Sequence, residues 1–386
     1  MSNQPPVLGP DGVARPYIGG QALIEGVMMR SPHSFVAAVR RQDGSLVLRE
    51  KSMPDLRRGV RAWPLVRGVM GLVEALKLGS EALRFSADVY ERDMEASEAR
   101  TGAPEQPAEA VKGSVKKPSV LAALSLPVIA LLTTEPADLQ ALDSGDKPDP
   151  KRKLFTVLAV LFAIGLFIAL PQAFAWGTSS LLGLDLDVRE PRFQVLTGLG
   201  KLIIVIGYML AIRRMPEIYR VFQYHGAEHK SIYVYEAGEE LSVANARLKT
   251  RLHPRCGTTF LVMVALVSIV VFSALGPLMP QLGLGRLGDN LLFLLMKLPF
   301  LPVIAAITFE IQRLLARRCS TGPLRALLWP GFLVQKITTI EPDDSQLETA
   351  LAALRGTLDN EANGDRQAPV VERSFEGYDA LVNARS

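Results

Sequence analysis

Residues 249–279 read KTRLHPRCGTTFLVMVALVSIVVFSALGPLM. Thr258 to Met279 is an apolar run long enough, at about 1.5 Å per helical residue, to cross roughly 30 Å of hydrocarbon. Lys249, Arg251 and Arg255 stand directly before it, and basic residues collect at the cytosolic end of a span. Between charge and span lies His253-Pro254-Arg255-Cys256, an imidazole and a thiol, both good zinc ligands.

Three further stretches are long enough to span: Leu154 to Trp176, Val195 to Ile212 and Leu291 to Ile311. Lys147, Lys151, Arg152 and Lys153 precede the first, Arg213, Arg214 and Arg220 follow the second, and Arg313, Arg317 and Arg318 follow the last. The loops Gly177 to Gln194 and Pro280 to Asn290 hold few basic residues. The asymmetry predicts a multi-pass protein of the inner (plasma) membrane with both termini and the 213–257 loop in the cytoplasm. The expected fold is an α-helical membrane protein of four transmembrane helices. A small cytosolic α+β portion is expected from the N-terminal β segment, the histidine loop between helices 2 and 3, and a C-terminal helix.

Met215 to Ala237 reads as a helix carrying His225-Gly226-Ala227-Glu228-His229. Histidines at i and i+4 share a helix face, so two ring nitrogens can reach one ion. Glu228 then stands where a general base for water would be needed, in the inverted H-x-x-E-H order. His253 and Cys256 offer a third imidazole and a thiolate, and Glu310, at the end of the fourth span, an extra carboxylate. The candidate ligands are thus His225, His229, His253, Cys256 and Glu310, with Glu228 catalytic and zinc or another divalent transition metal as cofactor. A closed structural site, hydrogen-bonded histidines without metal, and an ion pair of Glu310 with Arg313 are the competing readings.

The 386 residues are 48% hydrophobic with mean hydropathy +0.20 and net charge +4. The positive charge sits at span ends, which points to anionic headgroups and not to nucleic acid. Cys256 and Cys319 read as cytosolic thiols. Residues 1–16 have no basic-then-apolar pattern, so no cleavable signal is expected, and they read as disordered. Residues 17–56 form a cytosolic β segment. Gly19 and Gly20 suit close backbone approach, and Asp43-Gly44 marks a hairpin. Gln21, Glu25 and Arg30 line a site or are surface polar residues. Residues 57–86 read as an amphipathic helix, interfacial or core-packed, and 87–153 as a low-complexity linker with one apolar patch, Val120 to Leu132.

Spans 1–2 occupy 154–212 and spans 3–4 occupy 258–311. Lys201 can snorkel, whereas Lys297, beside Pro299 and Pro302, lies deeper and marks either a functional site or bundle packing. Trp176 and Trp329 suit interfacial anchors. Residues 312–358 hold a connector and a helix capped by Asp343 or Asp344, and 359–386 read as a disordered tail.

Four stretches resemble the YqhQ-like family of bacterial membrane proteins of unknown function, often regarded as predicted metal-dependent enzymes. They are Gly19 to Arg30, Tyr224 to Lys230, Leu252 to Thr258 and Thr338 to Asp344, and they bracket Tyr17 to Ala353. The resemblance implies a membrane protein. It adds little mechanism, because the enzyme label rests on the same histidines.

The expected function is a metal-dependent hydrolase with a cytosol-facing site at the membrane interface. Its substrate would be a lipid headgroup, a lipid-linked intermediate or a membrane-protein segment. The alternative is a non-catalytic scaffold or membrane-protein biogenesis factor with a structural Cys/His site.

Overall fold

The computed structural model describes residues 7–8, 12–53, 63, 65–101, 158, 161–162, 164–280, 282–283, 285–318, 326, 328–363 and 370–385. Cys319 and the Val120 to Leu132 patch lie outside the described residues. The fold is mostly helical, with an antiparallel sheet formed largely by the N-terminal segment.

That sheet has five strands in the order β3 (Gly19–Leu23), β4 (Gly26–Arg30), β5 (Ser34–Arg40), β6 (Leu46–Ser52) and β7 (Val371–Phe375). The expected hairpin closes with Arg40 opposite Leu46, and Gly44 takes the left-handed φ of +87° that the turn needs. The β5 sequence Phe35-Val36-Ala37-Ala38-Val39 is continuously apolar because both faces of the strand are covered. Val27, Met29, Val36, Ala38, Leu46 and Leu48 face one core, while Leu23, Met28, Phe35, Ala37 and Val39 face another.

The second core is closed by α1 (Val66–Thr101) through Leu78, Ala82, Phe85 and Val89. The helix outruns the expected 57–86 and enters the supposed linker, because Asp93 is buried against Arg41 at 2.6 Å. Its N-terminal half leaves Val69, Met70, Val73 and Leu76 exposed. The helix packs on the sheet at one end, as the core-packed reading expects, and leaves apolar side chains exposed at the other.

Three described helical segments are long and apolar enough to cross a membrane: Pro191–Ile212, Gly257–Leu278 and Gly288–Leu315. The chain is accordingly a membrane-associated protein. We number α2 (Leu170–Leu181), α3 (Pro191–Ile212), α4 (Pro216–Ala237), α5 (Val243–Arg247), α6 (Gly257–Leu275), α7 (Gly285–Lys297) and α8 (Leu301–Arg318). Pro299 and Pro302 break the last segment into α7 and α8 with a 3₁₀ turn at Leu298–Phe300, as proline should. Leu199, Ile203, Val270, Leu291 and Leu295 point outward from these helices, as lipid-facing side chains do. The expected first span, Leu154 to Trp176, is described only in part, as a π turn at Gly165–Ala169 leading into α2.

The helix expected over Met215 to Ala237 is α4, entered through Pro216 and ended by Gly238 at φ +71°. After α9 (Trp329–Thr338), α10 (Asp344–Asn363) lies with α4 on the first sheet face through Leu347, Leu351 and Leu354. Asp343 caps α10: its Oδ1 accepts the Gln346 amide at 2.9 Å, while the Asp343 amide donates to Gln346 Oε1 at 3.0 Å. The helix runs to Asn363, past the expected end at 358.

In two segments expected to be disordered, the described residues form regular structure. Within 1–16, β1 (Val7–Leu8) pairs with β2 (Ala14–Arg15). Within 359–386, β7 joins β6 as the edge strand, and α11 (Tyr378–Arg385) buries Leu381 in the sheet core. The tail is held by long-range pairing that its own polar sequence does not announce.

Candidate functional site

His225, Glu228 and His229 lie on α4, and Cys256 stands at the N-cap of α6. The i,i+4 spacing brings the two imidazoles to a centroid distance of 4.5 Å. His225 Nε2 is 3.2 Å from Cys256 Sγ, and one ligand atom from each of His225, His229 and Cys256 falls within a 4.8 Å group. Three side chains able to ligate a metal thus converge, the two histidines through their helical spacing and Cys256 from the N-cap of α6.

The orientation of each ring is set from behind. His225 Nδ1 donates to the Thr338 carbonyl at 2.9 Å, and His229 Nδ1 donates to the Arg251 carbonyl. A carbonyl oxygen only accepts, so Nδ1 carries a proton in both rings. This is the arrangement by which metal-ligating histidines are held.

Electrostatics follow from burial. Glu228, His229 and Cys256 are 6%, 1% and 4% exposed. Burial pushes the Glu228 carboxyl up to about 8, with the Cys256 charge adding and His225 opposing. Burial lowers His229, with the Cys256 charge and hydrogen bond opposing. Burial alone would raise the Cys256 thiol, but His229 and the Thr258 hydroxyl and amide bring it below its ordinary value. Thr258 donates its amide to Sγ at 3.4 Å from the first turn of α6.

The other predicted residues are placed elsewhere. His253 is beside the cluster but not in it: its ring is 5.5 Å from that of His229, and its Nε2 lies 3.6 Å from Glu236. Gln335, fully buried on α9, clamps its backbone, accepting from the His253 amide and donating to the His253 carbonyl, both at 2.8 Å. Glu310 is no ligand here. Arg67 of α1 holds it in a two-pronged ion pair at 2.6 and 2.5 Å, away from the histidine–cysteine group, and Arg313 acts on the same carboxylate. Glu25 binds Arg220 in the same manner at 2.5 Å, and Arg30 reaches Glu74 at 3.3 Å, so neither lines the cluster. Gln21 lies against Gly79 of α1.

Residues not singled out from sequence now have roles. Thr338 and Arg251 orient the rings, and Gln335 positions the His253 turn. Gly20 of β3, which the sequence marked for close backbone approach, lies over Glu228, so close that a Cβ there would stand 2.7 Å from the carboxylate oxygen. Lys230, 3% exposed, donates to Glu341 and to the Arg247 carbonyl, tying α4 to the 338–344 stretch. The available signal was that Gly19 to Arg30, Tyr224 to Lys230, Leu252 to Thr258 and Thr338 to Asp344 were the resembling stretches. All four meet at this cluster.

Among known proteins, residues 63–360 match the family model described as "Protein of unknown function (DUF1385)". The chain is 32% identical over 353 residues to "Uncharacterized protein YqhQ" of Bacillus subtilis (strain 168), a match covering 90% of this chain and 94% of that one. No solved structure matches it.

Proposed function

The chain belongs to the DUF1385 family, and we propose that it is a metal-dependent membrane enzyme, a hydrolase with its site at the cytosolic face of the inner membrane. One observation carries the reading: two histidines with Nδ1 fixed on backbone carbonyls stand with Cys256 Sγ in one 4.8 Å group of potential ligand atoms. The donor set fits zinc: neutral imidazoles and a thiol biased towards thiolate are its usual ligands, and three of them leave one position open. Zinc bound there supplies Lewis-acid polarisation of a substrate oxygen and of water, and its charge draws the Glu228 carboxyl towards its ionised form.

The rest belongs to this chain. Glu228, one residue from His229 and on the same helix, takes the proton of the attacking water and returns it to the leaving group. Thr338 and Arg251 hold the imidazoles in one tautomer. Because Cys256 caps a membrane-crossing helix, a substrate reaches the site at the membrane interface. That location favours a lipid headgroup, a lipid-linked intermediate or a membrane-protein segment. Four spans, with both termini cytoplasmic and the basic span ends on anionic headgroups, complete the reading.

Burial favours a second reading, in which the same cluster is a structural site knitting together a scaffold or biogenesis factor. Glu228 lies under the Gly20 backbone with little exposed surface. Metal analysis of purified protein prepared without chelator, with Glu228→Gln beside wild type, separates the two. The enzyme reading expects about one equivalent of metal in both proteins and loss of complementation by Glu228→Gln, since one acid–base group contributes roughly 10²–10⁴ in rate. Full complementation by a stable, metal-loaded Glu228→Gln protein removes the hydrolase. A wild type unable to take up metal removes the hydrolase and leaves the scaffold knitted together by hydrogen bonds.

A further inference from the structure

The helix α9 turns one narrow face outward. Trp329, Pro330, Leu333 and Lys336 are its exposed residues, and the spacing of Trp329, Leu333 and Lys336 puts these three on one side of a helix. Trp329 is 53% and Leu333 49% exposed. The other side is buried against the ends of two apolar spans. A Cβ on Gly331 would overlap Thr259 in the first turn of α6, and Val334 shares a buried cluster with Val262 of α6 and Met209 of α3. Gln335 Nε2 donates to the Thr259 hydroxyl at 2.9 Å. These contacts fall within ~8 Å of the span ends. That is the level at which tryptophan and lysine collect at a membrane surface.

Cations gather at the same level. Arg213 Nη1 donates to the Lys336 carbonyl at 3.3 Å, which uses one of the five guanidinium donors. Arg214 follows it and is exposed. The Lys336 ammonium lies 5.5 Å from the Trp329 ring centre. Among the described residues none of the three has a carboxylate partner, and Glu217, the nearest acid in the chain, pairs with none of them. In this they differ from Arg40, Arg41, Arg67, Arg220 and Arg247, each of which is held by a carboxylate. Leu210 lies one turn back from Arg213 and Arg214 on α3. It is 46% exposed and continues the apolar surface into the span.

The combination selects its partner. A surface facing only hydrocarbon would not carry three cations without counter-charge, and one facing only water would not expose Trp329 and Leu333 beside span ends. A molecule with acyl chains and an anionic head satisfies both requirements.

We propose that α9 and the end of α3 form a seat for one anionic phospholipid. Its phosphate lies between Arg213 and Lys336, with Arg214 adding charge, and its chains run along Leu333 and Leu210. The seat requires no metal in the histidine cluster, so it is independent of the hydrolase reading. It does border that cluster: α9 ends at Thr338, whose carbonyl accepts from His225 Nδ1, and its Gln335 clamps the His253 backbone. A lipid held here rests on the helix that forms the back wall of the site.

The test uses the full chain in neutral detergent, titrated with phosphatidylglycerol or phosphatidylcholine whose brominated acyl chains quench tryptophan emission on contact. Phosphatidylglycerol should reach half-quenching at a concentration at least about tenfold lower, as cations at a headgroup surface provide. Trp329→Phe should abolish the difference between the two lipids, and so should Arg213→Gln combined with Lys336→Gln. Arg92→Gln, which removes an exposed cation far along α1, should leave it unchanged. Equal quenching by both lipids in wild type overturns the proposal even if the variants fail to fold. So does a preference that persists in Trp329→Phe or in the folded double variant, or one that Arg92→Gln weakens as much. Displacement of phosphatidylglycerol by millimolar inorganic phosphate would assign the cations to a free anion and overturn the lipid seat as well.

Discussion

Gly226 lies against the carbonyl of Ile340 so tightly that a Cβ would overlap the oxygen. The contact is backbone on backbone, and Ile340 also donates its amide to the Phe222 carbonyl at 2.9 Å. Neither partner is the flexible end of a side chain, so Gly226→Ala must push α4 away from the 338–344 stretch. It should cost about 1–3 kcal/mol, as overpacking does. It should also loosen the His225–Thr338 bond. A thermal midpoint in detergent equal to that of wild type would refute this.

Cys256 is buried and faces His225. If the cluster holds a metal, chelation should raise the alkylation rate of this thiol, and His225→Ala should raise it without chelator. Cys319 must be replaced in both proteins, so that labelling reports one site. Equal rates with and without chelator would argue against a metal-protected thiol.

Glu310 serves the contact between α1 and α8. Glu310→Gln should cost roughly 1–3 kcal/mol by removing a charged hydrogen-bond pair with Arg67, yet leave metal content unchanged. His229→Ala should do the reverse, losing metal first. Metal loss in Glu310→Gln would restore the glutamate to the ligand set.

His253 gives a pH signature. Burial lowers it to about 4 from an ordinary 6.5, and nearby Glu236 does not rescue the charge because Arg255 already neutralises that carboxylate. Tyr233, His229 and Gln335 are its other neighbours. A depressed folded value means that the stabilisation is complete above about 6.5 and is lost as pH falls through about 4. The thermal midpoint should therefore drop across that window by an amount reflecting up to roughly 3 kcal/mol. His253→Gln should flatten the drop. An equally steep acid limb in that variant would place the sensitivity elsewhere.

Membrane orientation is checked with reporter fusions after Lys153, Leu184, Gly238 and Leu284. They should read in, out, in, out. A cytosolic reading after Leu184 would break the four-span arrangement.

Much of this was legible locally. Apolar length marked three spans, Asp43-Gly44 the hairpin, and the Pro216 and Gly238 bounds the helix that brings His225 and His229 together. Cys256 was legible as a partner because a thiol beside a basic span end returns to the same membrane level. The failures were non-local. Apolar length gives the depth of Glu310 but not the face it presents, so Arg67, far away in sequence, could not be foreseen. His253 shares a short motif with Cys256, yet the turn held by Gln335 points its ring at Glu236. The β7 strand is largely exposed and polar, and only its pairing with β6 keeps it extended. The sequence past Ser86 looked like linker because Arg41, the partner of Asp93, lies far back in the chain.

The way α10 covers the sheet sets a schedule for synthesis. Strands β3 to β6 leave the ribosome early, but the apolar face of Val27, Met29, Val36 and Leu48 waits for Leu347, Leu351 and Leu354, roughly 290 residues later. At about 5–20 residues per second this is a delay of roughly 15–60 s, during which every apolar span must also enter the bilayer. The nascent chain thus carries a sheet whose first face only α4, over β3 and β4, covers until α10 is made. Truncation before α10 should turn this protein into a client of chaperones and proteases rather than a shortened membrane protein.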